Sequence, residues 1–324
     1  LVNHTKELGM ESLALTDHGV MYGAIEFYKK AKKVGIKPII GCEVYISENL
    51  MVEKRAGIDD KRYHLILLAK NNIGYKNLMA IVSAAHLKGF YYKPRVDKDF
   101  LRKHSDGLIA LSACLGGELS RAISSKNYEK AKKIALEHEE IFGKDNYYIE
   151  LQQHPNIEDQ NLVTPQLVKL AKETGIPIVA TQDSHYTHAE DAHAHDILLA
   201  VQTGNKLDDT DRLSMRSDNF SLLNGQEIYE KFKSLGEDVA KEAIENTNKI
   251  ANLCNVEIEL GKTKLPPFSL PENYKNSDEY LKKLAYNGLL KRYGNNITNE
   301  INSRLEYELK VIGQTGFASY FLIV

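Results

Sequence analysis

The sequence predicts an α/β fold in which a barrel-like sheet of parallel strands is surrounded by helices. Short runs rich in Ile, Val, Leu and Tyr alternate with helical patterns, and most of those helical patterns end at a glycine before the next run. Strand and helix in regular alternation are typical of a parallel sheet. About six such units precede residue 205, which favours a closed or nearly closed barrel; a doubly wound sheet is the alternative.

The individual elements follow from these runs and their flanking residues. Strands are predicted at 13–16, 38–45, 64–69, 108–113, 147–152 and 177–181. Helices are predicted at 20–34, 74–87, 119–142 with a break near 124–127, 159–174 and 189–201. Neither GxGxxG nor GxxxxGK[ST] follows the first strand, so the doubly wound alternative has no nucleotide-binding motif to support it.

The pattern changes after residue 205 and predicts a second domain. Residues 206–224 are polar, 226–255 are helical, and Pro266, Pro267 and Pro271 form a cluster typical of a linker. Helices at 277–292 and 298–313 follow, with a strand expected at 320–324. We expect one domain over 1–265 and the start of another over 266–324. The chain opens and closes within patterned segments, so we expect it to be part of a longer protein.

Composition excludes several classes of protein. Of the 324 residues, 43% are hydrophobic and 27% charged, and the net charge of −2 gives no overall attraction for a polyanion. The apolar runs fall far short of the roughly 20 residues that cross a bilayer. Three cysteines without a CxxC motif favour a reducing compartment, and we expect a cytoplasmic protein with no membrane partner.

Metal-binding residue types follow the predicted strands. In a parallel barrel, functional groups collect at the carboxyl ends of strands. These positions hold Asp17, His18, Glu43, Cys114, Asp183 and His185. Imidazole, thiolate and carboxylate are the groups that bind Zn²⁺, Mn²⁺ or Fe²⁺. If 181–185 is extended, Asp183 and His185 point to the same side and can bind one ion.

Other polar residues are candidates for substrate contact or for packing. The loop with Lys93 and Arg95 combines cations with tyrosines, a pattern that can bind a phosphate or stack on a base. His154 follows a strand at the functional end and is a candidate for touching substrate. We expect Cys42 in the core, His193 and His195 on separate faces of a helix, and His86, His104 and His138 on solvated helix faces.

A series of motifs resembles one family. The motifs are TDHG at 16–19, KPIIGCEVY at 37–45, YHLILLAKN at 63–71, GYKNL at 74–78, YYKPRVD at 91–97, GLIALSAC at 107–114 and ATQDSHY at 180–186. In this order they resemble the PHP (polymerase and histidinol phosphatase) domain of bacterial DNA polymerase III alpha subunits. The closing stretch from residue 265 resembles the start of the palm domain in that family.

The resemblance implies a distorted TIM-like (β/α)₇ barrel, whose first strand lies before this chain, followed by a helical start of the palm. It implies divalent ions, Zn²⁺, Mn²⁺ or Mg²⁺, in the barrel. The implied ligands are His18, Glu43, His64, Cys114, Asp183 and His185. His64 is assigned by resemblance alone, because the predicted strand 64–69 places it at the wrong end of a barrel. Asp17, Lys93, Arg95 and His154 are expected beside these ligands or at the substrate.

The resemblance also implies a function and partners. The parent protein would be a DNA-directed DNA polymerase, a nucleotidyltransferase of DNA replication whose Mg²⁺-binding carboxylates lie beyond residue 324. Its partners would be primer-template DNA, deoxynucleotides, a sliding clamp and a proofreading exonuclease. The barrel would be a 3′–5′ exonuclease or phosphoesterase. The alternatives are a non-catalytic module that braces the polymerase and recruits a proofreading subunit, or a free-standing phosphatase.

Overall fold

The computed structural model describes residues 1–262, 266 and 268–324, and these form two compact units, Leu1–Ile258 and Glu259–Val324. The predicted boundary at residue 265 and the prediction of a linker proline at 267 fall outside the described residues.

The first unit contains seven strands and ten α-helices within its described residues. The strands are β1 Ser12–Leu15, β2 Lys37–Ser47, β3 Arg62–Ala69, β4 Arg95–Val96, β5 Leu108–Leu111, β6 Tyr147–Leu151 and β7 Ile178–Ala180. The helices are α1 Val2–Glu7, α2 Ala24–Val34, α3 Asn72–Leu87, α4 Lys98–Lys103, α5 Glu118–Ser124, α6 Tyr128–Phe142, α7 Glu158–Thr174, α8 Ala192–Thr203, α9 Gly225–Phe232 and α10 Glu237–Leu253.

The strands form one curled sheet in the order β1-β2-β3-β5-β6-β7, with β4 attached to β2. Pairs β1–β2, β5–β6 and β6–β7 are parallel, which confirms the α/β prediction. Among the described residues, β1 and β7 do not pair with each other, so the barrel is open at that position.

The prediction of a wholly parallel sheet is wrong at β3. This strand is antiparallel to both of its neighbours in the sheet, β2 and β5. The physical reason is the connection from β2, residues 48–61, which contains no helix that could carry the chain back across the sheet. The chain turns and returns as a hairpin, so the start of β3 lies at the same edge as the carboxyl ends of the parallel strands.

Apolar side chains cover both faces of the sheet. On β3, Leu65 and Leu67 belong to the large core beneath the surrounding helices, whereas Ile66 and Leu68 face the inside of the barrel. This alternation follows from the period of two in a strand. The end of α10 contributes Ile250 to the inner core. The inside of the barrel is therefore lined by apolar side chains, and polar groups follow at the edge where the parallel strands end.

The second unit consists of α11 Ser277–Tyr293, α12 Asn299–Thr315 and α13 Ala318–Ile323. The strand predicted at 320–324 is wrong, because Phe317 begins a helical turn in which the Phe321 amide donates to the Phe317 carbonyl at 3.1 Å. Within the part of the chain that the structure describes, no helix has the length and apolar character needed to cross a membrane.

Candidate metal centre

Three side chains converge at the edge of the barrel where the carboxyl ends of the parallel strands lie. His18, Glu43 and His64 each offer an atom, and these atoms lie within 4.8 Å of one another. His18 Nδ1 lies 3.7 Å from Glu43 Oε1, and His64 Nδ1 contacts the same oxygen. Glu43 is buried, with 5% of its surface exposed. Two imidazoles thus face one carboxylate oxygen at the mouth of a cavity.

Backbone pairing places these three residues. The Glu43 amide donates to the Asp17 carbonyl at 3.0 Å, and the Gly19 amide donates to the Glu43 carbonyl at 2.9 Å. The parallel pairing of β1 with β2 therefore continues through His18. On the other side of β2, His64 lies directly opposite Tyr45 in the antiparallel register. The orientation of β3 explains how a residue near the start of a strand reaches the functional edge.

Cys114 extends the cluster beyond β5. Its Sγ lies 3.6 Å from His64 Nδ1 and accepts a hydrogen bond from the Gly116 amide at 3.4 Å. The preceding Ala113 has a φ of 64°, a left-handed conformation that costs free energy in a residue other than glycine. Burial raises the pKa of the Cys114 thiol, and the nearby carboxylates of Glu43 and Asp183 raise it further.

Asp183 and His185 close the cluster beyond β7. Asp183 has a φ of 53°, so the extended conformation expected for 181–185 is wrong: the chain turns at Asp183 itself. The turn still brings the two side chains together, since His185 Nδ1 lies 3.7 Å from Asp183 Oδ1. The rings of His185 and His18 are 6.3 Å apart. Burial raises the pKa of Asp183, and the charge of Glu43 adds to this effect.

Burial would raise the pKa of Glu43 as well, but contact with His64 and the charges of neighbouring histidines hold it below its ordinary value. A divalent cation would add positive charge at the same oxygen. Imidazole, thiol and carboxylate together are the donor set of Zn²⁺ and of other first-row divalent metals. Of the six side chains predicted as ligands, His18, Glu43 and His64 thus lie close enough together to hold one ion. Cys114 contacts His64, and Asp183 and His185 lie next to each other on the other side of His18.

Below the cluster lies a cavity of about 1090 Å³. The cluster residues His18, Glu43, Asp183 and His185 line one part of it, and inner-face residues such as Ile66 and Val179 line another. Glu11, just before β1, and Lys37, at the start of β2, line it as well, so the cavity wall is mixed in polarity.

Two of the other candidates lie beside the cluster. Asp17 lines the cavity and accepts a hydrogen bond from the Gly23 amide at the start of α2, although burial raises its pKa. The ammonium group of Lys93 lies 6.0 Å from the ring centroid of Tyr45, and that ring contacts His64. Lys93 is exposed and has no carboxylate partner among the described residues. Its contact with substrate stays a prediction.

Arg95 and His154 are buried. The guanidinium of Arg95 is fully enclosed and donates to the backbone carbonyls of Met51, Glu53, Asp59 and Gly89. Its donors are occupied in holding the 48–61 connection, so the structure gives it a structural role. His154 stacks on Phe220 at 4.2 Å, and Phe220 in turn contacts the His185 ring. Burial lowers the pKa of His154 to about 4, so it is neutral near pH 7.

Sequence reasoning missed several residues around the site. Tyr45 packs against both His18 and His64, and its position two residues after Glu43 on the same strand face could have indicated this. His86 was expected in solvent, yet its Nε2 donates to the Gly19 carbonyl at 2.8 Å and supports the turn that carries His18. His138 was also expected in solvent but is buried against Glu118.

Glu150 was not expected near the site. It is buried and lines the same cavity as Glu43.

Comparison with known proteins identifies relatives. Residues 1–154 match the PHP domain family, and residues 279–324 match the family described as the bacterial DNA polymerase III alpha NTPase domain. A DNA polymerase III subunit alpha from Borreliella burgdorferi is 45% identical, and its match covers all of this chain and 28% of the relative. The corresponding subunit from Treponema pallidum is 42% identical, covering all of this chain and 27% of the relative.

A Thermus aquaticus subunit of the same name is 40% identical over 89% of this chain and 24% of its own length. The chain thus spans about a quarter of the length of these relatives. A solved structure described as a metal-dependent phosphoesterase from Bifidobacterium adolescentis aligns with 56% of this chain and 80% of its own, at 11% identity and a TM-score of 0.34. The family assignment depends on the sequence relatives and not on this weak structural match.

Proposed function

The chain belongs to the family of the bacterial DNA polymerase III alpha subunit, and from this premise we propose that its barrel is a metal-dependent phosphoesterase acting as a 3′–5′ exonuclease on primer ends. The observation that carries the proposal is the convergence of His18, Glu43 and His64 within 4.8 Å at the mouth of a cavity. Phosphodiester hydrolysis is the reaction class that such a donor set serves when it holds divalent ions.

The residues that would hold the ions are the six of the cluster. They are His18, Glu43, His64, Cys114, Asp183 and His185. Zn²⁺, Mn²⁺ or Mg²⁺ in this site would lower the pKa of bound water and neutralise phosphoryl oxygens. Mixed nitrogen, sulfur and oxygen donors favour Zn²⁺ or Mn²⁺ over Mg²⁺, which prefers oxygen alone.

The remaining residues prepare the site and the substrate. Lys93 would neutralise a backbone phosphate next to the cluster, with its side chain over Tyr45. His86 fixes the His18 turn through the Gly19 carbonyl. Phe220 covers one side of His185 and limits water there. Each of these contacts acts on orientation or charge, which is the larger part of catalysis in phosphoryl transfer.

A nuclease assay on the whole chain tests the proposal. A 5′-labelled single-stranded oligonucleotide is incubated with the wild type at measured Mn²⁺ or Zn²⁺ content, with and without chelator, and with a Glu43→Gln variant. We expect shortening from the 3′ end that chelator abolishes and that Glu43→Gln reduces by at least about 100-fold. Binding of metal without cleavage would contradict the proposal and support a non-catalytic module that braces a polymerase. Cleavage of small phosphate esters alone would support a free-standing phosphatase.

We propose further that the parent protein is a DNA-directed DNA polymerase of replication. Relatives that cover the whole chain bear that name. On this proposal the parent works in the cytoplasm with primer-template DNA, deoxynucleotides and Mg²⁺. A sliding clamp and a separate proofreading exonuclease would be its partners. The second unit would be the helical start of the palm domain.

A further inference from the structure

A buried glutamate lies beneath the metal-binding residues. Glu150 is on β6 with 4% of its surface exposed, and it lines the same cavity as Glu43 and Asp183. It shares the inner face of β6 with Tyr148, which belongs to the inner core of the barrel. No metal-binding role was predicted for it from the sequence.

The two oxygens of Glu150 have different surroundings. Oε1 accepts hydrogen bonds from Thr181 Oγ1 at 2.5 Å and from Gln152 Nε2 at 3.0 Å. Oε2 is enclosed and has no hydrogen-bond partner among the described residues. A buried carboxylate oxygen without a partner costs free energy, and a neutral side chain would avoid that cost. Such a group calls for an explanation other than packing.

The charges around Glu150 make the cost larger in the absence of a cation. Burial raises its pKa to about 7, and the negative charges of Asp183 and Glu43 contribute to the increase. Glu150, Asp183 and Glu43 therefore line one cavity and repel one another, and Asp17 lines the same cavity. A divalent cation bound at the cluster would attract each of these carboxylates and offset the repulsion between them. Thr181, which donates to Glu150, lies two residues before Asp183 on the chain that leaves β7.

We infer that Glu150 is a charge-supplying residue that strengthens divalent-cation binding at the cluster from beneath, without being a ligand. The enclosed position of Oε2 argues against direct coordination, and the Thr181 hydrogen bond connects Glu150 to the turn that carries Asp183. The inference rests on the proposed metal centre and assigns a role in it to a residue outside the ligand set. Residues that surround metal ligands without binding the metal themselves typically contribute 10- to 100-fold to metal affinity.

The test separates stability from metal binding. Glu150→Gln has nearly the same shape and removes the charge, with an NH2 group in place of one carboxylate oxygen. In the whole chain at pH 8, we expect its affinity for Mn²⁺, measured by titration calorimetry, to fall about 10- to 100-fold. We expect its melting temperature in chelator to equal or exceed that of the wild type, since the unpaired charge is gone. Glu150→Asp keeps the charge and should retain most of the affinity even if it melts earlier.

Glu118→Gln provides a matched control. Glu118 is also buried, but it lies outside the cavity and pairs with Lys98 at 2.9 Å and His138 at 3.2 Å. Glu118→Gln should lower the melting temperature and leave Mn²⁺ affinity unchanged. This is the opposite of the result expected for Glu150→Gln. Equal Mn²⁺ affinity in Glu150→Gln and wild type would overturn this inference alone. A Glu150→Gln chain that does not fold would also overturn it, because the carboxylate would then be structural. A wild type that binds no Mn²⁺ would overturn the metal centre as well.

Discussion

The imidazole of His64, near the start of β3, contacts the carboxylate of Glu43, in the middle of β2. The two side chains meet because β2 and β3 are antiparallel, which pairs His64 with Tyr45, two positions after Glu43. In a wholly parallel barrel the start of β3 would lie at the opposite edge of the sheet. The contact therefore depends on the hairpin at 48–61 as much as on the two side chains.

The first prediction concerns His64 itself. His64→Ala removes one nitrogen donor from the cluster while leaving a partly exposed position, so we expect the fold to persist and Mn²⁺ affinity to fall by at least about 10-fold. Titration calorimetry with a circular dichroism check measures both. His104→Ala is the control, because His104 stacks on Phe100 and lies outside the cavity wall. Unchanged affinity in His64→Ala would remove His64 from the ligand set.

The second prediction concerns Gly116. A Cβ at this position would lie 2.8 Å from His64 Nδ1, so Gly116→Ala forces the imidazole to move. We expect weaker Mn²⁺ binding with every donor group still present, because metal sites tolerate only small displacements of their ligands. Calorimetry measures the change. Gly225→Ala, where the added Cβ meets nothing within 4 Å, should bind as the wild type does. Equal binding by both variants would show that the ring position does not matter.

The third prediction is a pH dependence from Glu118. Burial alone would raise its pKa, but His138 and Lys98 more than offset this and hold the pKa below its ordinary value. A lowered pKa means stability that is present above the unfolded-state value of about 4.3 and lost as pH falls through the folded-state value. In chelator, the melting temperature of the wild type should therefore fall more steeply below about pH 4.5 than that of Glu118→Gln. Parallel curves for the two proteins would contradict the pairing.

The fourth prediction concerns the stability that Arg95 provides. Arg95→Met removes the side-chain donor from four backbone carbonyls, of which Gly89 keeps a bond from the residue 95 amide, and we expect a loss of about 3 kcal/mol in the free energy of unfolding. Urea denaturation measures it. Arg102→Met is the control: its exposed pair with Glu140 should be worth under about 1 kcal/mol. A loss of unfolding free energy no larger than that of the control would mean that residues 48–61 keep their conformation without Arg95.

The fifth prediction concerns Lys93. If its ammonium meets a phosphate, Lys93→Ala should weaken binding of a labelled single-stranded oligonucleotide and reduce the slope of log affinity against log salt by about one. Fluorescence anisotropy in chelator measures both without cleavage. Lys172→Ala removes the same charge from an exposed position in the last turn of α7, outside the cavity wall, and should leave the slope unchanged. An unaltered slope in Lys93→Ala would mean that the oligonucleotide binds to another part of the protein.

The sequence was sufficient to predict most members of the candidate cluster because they lie in or directly after apolar runs. Glu43, Cys114 and Asp183 stand at or just beyond strands whose composition marks them clearly. The place of His64 in the fold could not be derived this way, since strand direction depends on whether the chain crosses the sheet or turns back. The left-handed backbone conformation of Asp183 could not be predicted either, because a Gln-Asp-Ser sequence is compatible with an extended segment.

Burial was the other quantity that a single sequence did not supply. Arg95 and His138 carry polar side chains that usually face solvent, and only tertiary packing turns them into enclosed hydrogen-bonding groups. Glu150 was missed for the same reason. Its strand, 147–152, was predicted, but the inward face of a strand cannot be distinguished from the outward face when both carry large residues.

The hairpin between β2 and β3 also sets a limit on natural variation. Side chains on a strand change face at every step, so a slip of one position between these strands would turn the imidazole of His64 outward and bring Tyr63 to the cavity instead. Insertions within 48–61 are tolerable only if the pairing beyond them is preserved. Length differences among homologues should therefore be absorbed in the loop, while the distance in sequence from His64 to Ala69 stays fixed.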